Sequence, residues 1–267
     1  MVGSAPDRGI PIRSISRGLS IIQVISRLGP MSMMEISREA GLPYPTASRI
    51  VQTLIHDGYV EREQTRKHYR VTALVQTLST GYQAADRLVT AARRHLVDVT
   101  DKVGWPVSLA TRVGTSMMVR ESTHDQSSMT FTNYYAGFTL PISKCASGKV
   151  YLAFCDEAER AAIIDGWQCS DNETSQIGLT MVHDDVVLSQ IRERGYAINT
   201  RNAYTADAGK TSAIAVPIFR SSGKIAGTLS LIYFATSMTF IEAAEHFYDL
   251  LKRKADEISE ELAFIGG

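Results

Sequence analysis

The sequence predicts an α+β chain in two parts, a small helical domain closed by a β-hairpin and a larger mixed domain. Three observations carry this. Residues 17 to 56 repeat apolar side chains at helical spacing, and residues 59 to 71 switch to alternation. Residues 107 to 234 hold strand-like runs separated by Gly-containing turns and helical stretches. The 267 residues are 44% hydrophobic, more than one small core requires, so two domains are expected. The expected boundaries are a flexible N-terminus at 1–12, a first domain at 13–72, a linker helix at 73–88 and a second domain at 89–267.

Ile21, Ile22, Ile25 and Leu28 share one stripe, with Arg17 and Arg27 free to face solvent, which predicts a first amphipathic helix over 17–28. Gly29-Pro30 ends it. Ser32-Met33-Met34-Glu35 has the spacing of a capping box, so a short second helix follows and buries Met34, Ile36 and Ala40. Gly41 fits the position just past a helix end. Pro43 and Pro45 lack backbone donors and hold Leu42 and Tyr44 extended, so the chain turns here. A third helix then starts at Pro45, whose missing N–H would be unpaired there anyway. Ala47, Ile50, Val51, Leu54 and Ile55 form its apolar face.

The opposite face shows Thr46, Ser48, Arg49, Gln52, Thr53 and His56, with no acid before Asp57. A helix that is only solvated usually pairs Glu with Lys. Hydroxyls, an amide and a guanidinium are instead the groups that bond base edges and phosphate oxygens. Taken alone the helix reads equally as a core helix with a polar outside; its context decides. After Gly58, Tyr59 to Arg62 and His68 to Val71 alternate around a charged connection and predict a hairpin whose tip and flanks carry Arg62, Arg66, Lys67, His68 and Arg70. Residues 1–72 hold ten Lys or Arg against six acids, a net of +4, in a chain whose total is zero. Helix, helix, turn, helix and basic hairpin is the order of a winged helix-turn-helix, which lays its third helix in the major groove and its wing along the backbone. Double-stranded operator DNA is the expected partner. Base reading falls to Ser48, Arg49 and Gln52 and phosphate contact to Tyr44 and Thr46; Arg17, Ser32, Thr53 and the wing residues complete the expected set.

The linker segment repeats Leu74, Leu78, Tyr82, Ala85, Leu88, Ala92, Leu96 and Val99 at steps of three or four, with Gly81 as a bend. It reads as a dimer element, since a palindromic operator needs a two-fold protein, or as a helix packed on its own domain. Beyond Trp105-Pro106, strands are expected at 107–111, 117–121, 129–134, 213–219 and 225–234, and helices at 147–155, 156–164, 182–194 and 241–262. Strand pairs joined at 112–115 and 220–224 predict an antiparallel sheet with helices around it.

Several chemistries are excluded. Ser147-Gly148-Lys149 fails as a phosphate loop because Ser143 and Val150 stand where Gly and Ser or Thr are required. Cys145, Cys155 and Cys169 form no C-x-x-C pair, and the sequence gives Cys145 no activating base, so neither a thiolate metal site nor a nucleophile is indicated. The acids of His183-Asp184-Asp185 are explained by a helix N-terminus. No apolar run approaches the roughly 18 residues that cross a bilayer, and no apolar stretch follows a basic start. A cytoplasmic non-enzyme without metal or cofactor is expected. Small residues at 143–148, where a polar loop meets a helix start, let backbone donors approach a ligand carboxylate.

These segments resemble the IclR-type bacterial transcriptional regulators. The resemblance rests on S-x-x-R-G-L from Ser14, E-I-S-R-E-A-G-L-P at 35–43, T-A-S-R-I-V-Q-T-L-x-x-x-G-Y-V at 46–60 and Y-R-V-T at 69–72. In the second domain it rests on L-P-I-S-K-C-A-S-G-K-V-Y-L-A-F at 140–154, I-R-E-R-G-Y-A at 191–197 and I-A-V-P-I-F at 214–219. It implies a GAF-like effector-binding domain enclosing a small organic acid, with Ser143, Cys145, Ala146 and Ser147 on the loop, Ala213 on one strand and Ser230 and Ile232 on the last. Two departures stand out. Pro45 replaces a frequent serine, and Asn199-Thr200-Arg201-Asn202 replace residues that are typically acidic. Trp105-Pro106, V-R-E-S-T-H at 119–124 and A-S-G-x-x-x-L-A-F-C at 146–155 look most like regulators of aromatic-acid catabolism of the hydroxyphenylpropionate type. That implies an aromatic carboxylate, with a non-aromatic one as the alternative, and a homodimer or dimer of dimers. Arg120 is then the expected carboxylate partner, and Tyr134, Tyr204 and Tyr233 are either pocket walls or core.

Overall fold

The computed structural model describes residues 12–64, 66–79, 87–129, 135–170, 172–204 and 209–265. The chain divides into two compact units, Met1–Ala85 and Asp86–Gly267, and the division falls inside the expected linker. The N-terminal segment through residue 11 lies outside the described residues.

In the first unit α1 spans Arg13–Leu28, α2 Met33–Glu39 and α3 Tyr44–His56. Ile21, Val24 and Ile25 of α1, Met33 and Ile36 of α2, and Ala47, Val51 and Leu54 of α3 close one core with Val60 and Tyr69. Three details differ from expectation. Leu28 is 49% exposed, because the buried face centres on 21, 24 and 25 and the last turn runs past it. Met34 is 69% exposed and Met33 is buried in its place, because 33 and 36 share a helical face and 34 does not. Helix α3 begins at Tyr44 rather than Pro45; Pro45 then occupies the second position, whose N–H also has no intrahelical acceptor.

The capping box at α2 forms as expected: Glu35 Oε2 accepts from the Ser32 N–H at 2.8 Å, and Ser32 Oγ accepts from the Glu35 N–H at 3.4 Å. These donors hold the Glu35 carboxyl below its ordinary range. β1 (Val60–Arg62) and β2 (Tyr69–Val71) pair antiparallel, with Arg62 opposite Tyr69, and a bridge from Met31 to Tyr69 ties the wing to the α1–α2 turn. Ala73–Leu78 is a 3-10 helix with none of its residues buried, so no packed face extends it into the α-helix expected over 73–88; 80–86, Gly81 included, lie outside the described residues.

The second unit opens with α4 (Arg87–Val103). Then come β3 (Val107–Val113), β4 (Ser116–Ser122), β5 (Thr139–Pro141), a 3-10 turn (Ile142–Lys144) and α5 (Ala146–Phe154). They are followed by α6 (Glu157–Gln168), α7 (Glu173–Asp184), α8 (Val186–Arg194) and β6 (Ala197–Asn199). β7 (Thr211–Phe219), β8 (Ile225–Phe234) and α9 (Phe240–Ile265) complete it. Among the described residues the strands form one antiparallel sheet in the order β5-β4-β3-β8-β7-β6. Both expected hairpins are present, with Gly114 and Gly223 at positive φ in their turns. The expected helix 182–194 is instead two helices broken at Asp185, which has φ 49° and accepts from Ser189 Oγ at 3.0 Å and from Arg192. Of the expected strand 129–134, Met129 sits in a bend and 130–134 lie outside the described residues.

β7 and β8 are buried along nearly their whole length because helices cover both faces of the sheet. A side chain added at Gly227 would meet Leu88 of α4, whereas the alternate residues Ser230 and Ile232 face the start of α5. α4 and α9 are locked together by the 3% exposed ring of His95, whose Nε2 lies 2.7 Å from Glu261, and by Lys254 between Asp98 and Glu257 at 3.2 and 2.6 Å.

Gly148 is the tightest point of this unit. An added Cβ there would lie 2.0 Å from the Ile142 carbonyl oxygen, a backbone atom that cannot swing aside. Gly148→Ala is therefore expected to destabilise the full chain by about 1–3 kcal/mol, the usual range for overpacking. Gly18→Ala, whose Cβ meets only Ile50 at 3.9 Å within α1, is expected to stabilise it by about 0.5–1 kcal/mol. Urea titrations of the two variants check the opposite signs.

Candidate DNA-reading surface and effector site

On the first unit, Tyr44, Arg49, Gln52 and Thr53 are exposed on α3, and Thr46 and Ser48 are half-buried beside them. Helix α3 has no side-chain cap; Pro45 has no N–H and the Thr46 N–H donates to the Pro43 carbonyl at 2.9 Å, so this end presents chiefly the exposed Tyr44 ring. Not all the expected side chains are equally available. Thr53 Oγ1 donates back to the Arg49 carbonyl at 3.1 Å, and the Ser32 hydroxyl donates to Glu35 Oε2 at 2.8 Å inside the capping box. Arg70, on the wing, is held by Glu61 at 2.6 Å, and the Arg62 guanidinium lies 5.8 Å from the centre of the Tyr69 ring. Arg66 and Lys67 stand exposed at the wing tip, Lys67 in left-handed backbone at φ 55°. His68 is half-buried, its carbonyl accepting from the Glu63 N–H at 2.8 Å to close the loop. Arg17 is exposed on α1.

On the second unit, the start of α5 meets β6, β7 and β8 around a small cavity of about 30 Å³, room for roughly one water. Six of the ten expected effector residues line it: Cys145, Ala146, Ser147, Ala213, Ser230 and Ile232. Three of the others do not take that place. Ser143 is buried but turned outward, donating to the Thr174 carbonyl at 2.7 Å, because the 3-10 turn before α5 packs on α7. Arg120 reaches along the sheet toward Thr111 Oγ1 at 3.5 Å, and neighbouring Glu121 pairs with Arg93 at 2.8 Å. Tyr204 stacks under the Lys144 ammonium, 5.6 Å from its ring centre. Tyr134 lies outside the described residues. Tyr233, 1% exposed, is core rather than wall.

Sequence reasoning missed Leu140, Asn199, Thr211 and Ser212, which complete the lining. Residues 211 and 199 could have been found by extending the strand alternation from Ala213 across to a neighbouring strand, but β6 is only three residues long and carries no periodic signal.

The cavity's chemistry is set by how the loop is capped. Cys145 Sγ accepts from the Gly148 N–H and the Ser147 hydroxyl, each at 3.3 Å, so a thiol caps α5. Burial pushes that thiol's pKa up, which keeps it protonated and a poor nucleophile. The first-turn N–H groups of Ala146 and Ser147 have no intrahelical acceptor and lie at the cavity wall with the positive end of the helix dipole. Across from them Ser230 Oγ is buried with no hydrogen-bond partner. The unpaired Ser230 hydroxyl and the positive helix end are both complements of an anion. Among the described residues no cluster of His, Cys, Asp and Glu could hold a metal, and no helix is long and apolar enough to cross a membrane.

A winged helix in the first unit and an antiparallel α+β domain with a small cavity in the second are the parts of a DNA-binding regulator. The chain belongs to the IclR family of transcriptional regulators: residues 14–64 match the IclR helix-turn-helix domain and 81–260 the bacterial transcriptional regulator IclR C-terminal domain. It is similar to the DNA-binding transcriptional repressor YiaJ of Escherichia coli, 26% identical over 94% of this chain and 88% of that one. The Pca regulon regulatory protein of Pseudomonas putida is 23% identical over 93% of this chain and 84% of its own. Among solved structures, an IclR homolog from Microbacterium hydrocarbonoxydans complexed with 4-hydroxybenzoate has a TM-score of 0.65 at 20% identity, covering 93% of this chain and 98% of that one. The family is one of regulators, not enzymes.

Because the Ser230 hydroxyl is buried and unpaired, its removal is expected to be neutral or to stabilise the full chain by about 1 kcal/mol. Thermal unfolding of Ser230→Ala checks this; a loss of stability would mean that the hydroxyl is already satisfied.

Proposed function

We propose that the protein controls a catabolic operon by binding operator DNA through α3 and the wing, and by sensing a small aromatic carboxylate in the cavity at the start of α5. The observation that carries the effector half is the buried, unpartnered Ser230 hydroxyl, which shares a small cavity with the first turn of α5. The aromatic class draws support from the relative named for the Pca regulon and from the neighbour complexed with 4-hydroxybenzoate. A cavity of about 30 Å³ is far below the roughly 300 Å³ that small-molecule sites usually reach, so an aromatic acid has to open it. The opened form is then the state the effector selects, which is how occupancy is coupled to the rest of the chain. The small volume is also the one observation that favours a second reading, a non-aromatic carboxylate.

For the DNA half, Arg49 and Gln52 read bases, with Ser48 beside them, while Tyr44, Thr46 and the wing cations contact phosphate. A homodimer, or a dimer of dimers, matches a palindromic operator, and the segment linking the two units transmits the sensor's state to the paired reading helices. Arg49→Ala is expected to weaken operator binding by about 1–3 kcal/mol and to relax specificity at one base pair. Lys67→Ala is expected to weaken all sequences alike and to lower the salt slope by about one. Wild-type affinity for both variants across a salt series would contradict these contacts.

A thermal-shift screen against benzoate, 4-hydroxybenzoate, phenylacetate, phenylpropionate, pyruvate and propionate separates the two effector readings. Selective stabilisation by an aromatic acid, rising with the ratio of ligand to Kd and lost in Ser230→Ala, is the expected result. A shift with only the small acids removes the aromatic class.

A further inference from the structure

Four lysines of the second unit are partly withdrawn from water, and three have the carboxylates that burial of an ammonium calls for, Lys252 through Asp256. Lys144 pairs with Glu173 at 3.1 Å, and Lys254 with Glu257 and Asp98 at 2.6 and 3.2 Å. Lys149, one helical turn into α5, is the exception. Its Nζ donates to Asn199 Oδ1 at 2.9 Å, and no carboxylate among the described residues pairs with it. Asn199 is 5% exposed, lines the cavity, and donates from Nδ2 to the Thr200 carbonyl at 3.1 Å, which fixes its Oδ1 toward the ammonium. Burial and the neighbouring Arg194 and Lys144 charges all disfavour the protonated amine. A cation left without a counter-charge is costly unless something else supplies one.

We infer that Lys149 and Asn199 together determine the ligand's charge: Asn199, which lines the cavity, holds the ammonium one hydrogen bond behind the wall, and its neutrality leaves the positive charge to be balanced by the carboxylate of an anionic effector. An aspartate at 199 would cancel that charge inside the protein and remove the preference. This rests on the cavity being the effector site and goes further, because it names the pair that separates an acid from its neutral isostere.

The test is calorimetric titration of the full chain with benzoate against benzamide and propionate against propionamide, in wild type, Asn199→Asp and Lys149→Met. The wild type is expected to bind one acid at least tenfold more tightly than its amide. Asn199→Asp, which keeps the side-chain shape, is expected to weaken that acid about tenfold or more and to leave the amide within about twofold. Lys149→Met is expected to abolish the preference by weakening the acid alone. If the wild type prefers the acid, Ser230→Ala weakens it, and Asn199→Asp and Lys149→Met leave the preference unchanged, the charge assignment is wrong while the effector site stands. If acid binding is indifferent to Ser230→Ala as well, both fail.

Discussion

The sensing unit depends on one close approach, that of the first turn of α5 to the Ile142 carbonyl, which only a residue without a Cβ at 148 allows. That contact folds the 142–148 loop tightly under the helix, turns Ser143 away to Thr174 and leaves Cys145 as the cap. The N-terminal end of the helix is thereby set against β7 and β8, where it and the Ser230 hydroxyl border a cavity little larger than a water molecule, with the Lys149 ammonium held behind Asn199. The arrangement is compact because its parts are small, and it is under-satisfied because Ser230 Oγ is buried without a partner. A site that is complete only when an anion enters is a reasonable sensor, since the ligand supplies what the fold leaves missing.

The reading unit works by a different economy of polar groups. Its core is formed by short apolar repeats on three helices and a two-stranded wing, and nothing in that core involves the outward face of α3. That face is consequently available, and the structure sorts its members by what they already bond. Thr53 and Ser32 are engaged with their own helices, and Arg70 and Arg62 with Glu61 and Tyr69. Arg49, Gln52, Arg66 and Lys67 remain outward-facing, so the set best suited to DNA is smaller than the set of residue types compatible with it.

How much of this was legible in the sequence differs between the two units for a physical reason. The capping box, the proline-framed turn and the hairpin of the first unit are local signals, each decided within about four residues, and each appears where the sequence places it, within one position for α3. The choice of Met33 over Met34 was less legible because it depends on which face meets the other helices. In the second unit the long strands β7 and β8 announced themselves by composition. The short edge strands β5 and β6 and the break at Asp185 did not, since each is set by its neighbours rather than by its own residues. The loop residues of the cavity followed from the family resemblance. Asn199 was singled out there only as a departure, and its role emerges once β6 brings it beside Lys149. Arg120 was chosen for its chemistry alone, and strand geometry turns it along the sheet toward Thr111.

If the effector acts at the cavity at the start of α5, its binding quiets the segments that form the cavity walls. Hydrogen exchange on the full chain, with and without saturating 4-hydroxybenzoate, tests it most directly. The account predicts slowed exchange concentrated at the amides of 145–149, 211–213 and 230–232, the segments that line the cavity. Protection confined to the α7–α8 region, or none anywhere at a concentration that stabilises the protein, would contradict it.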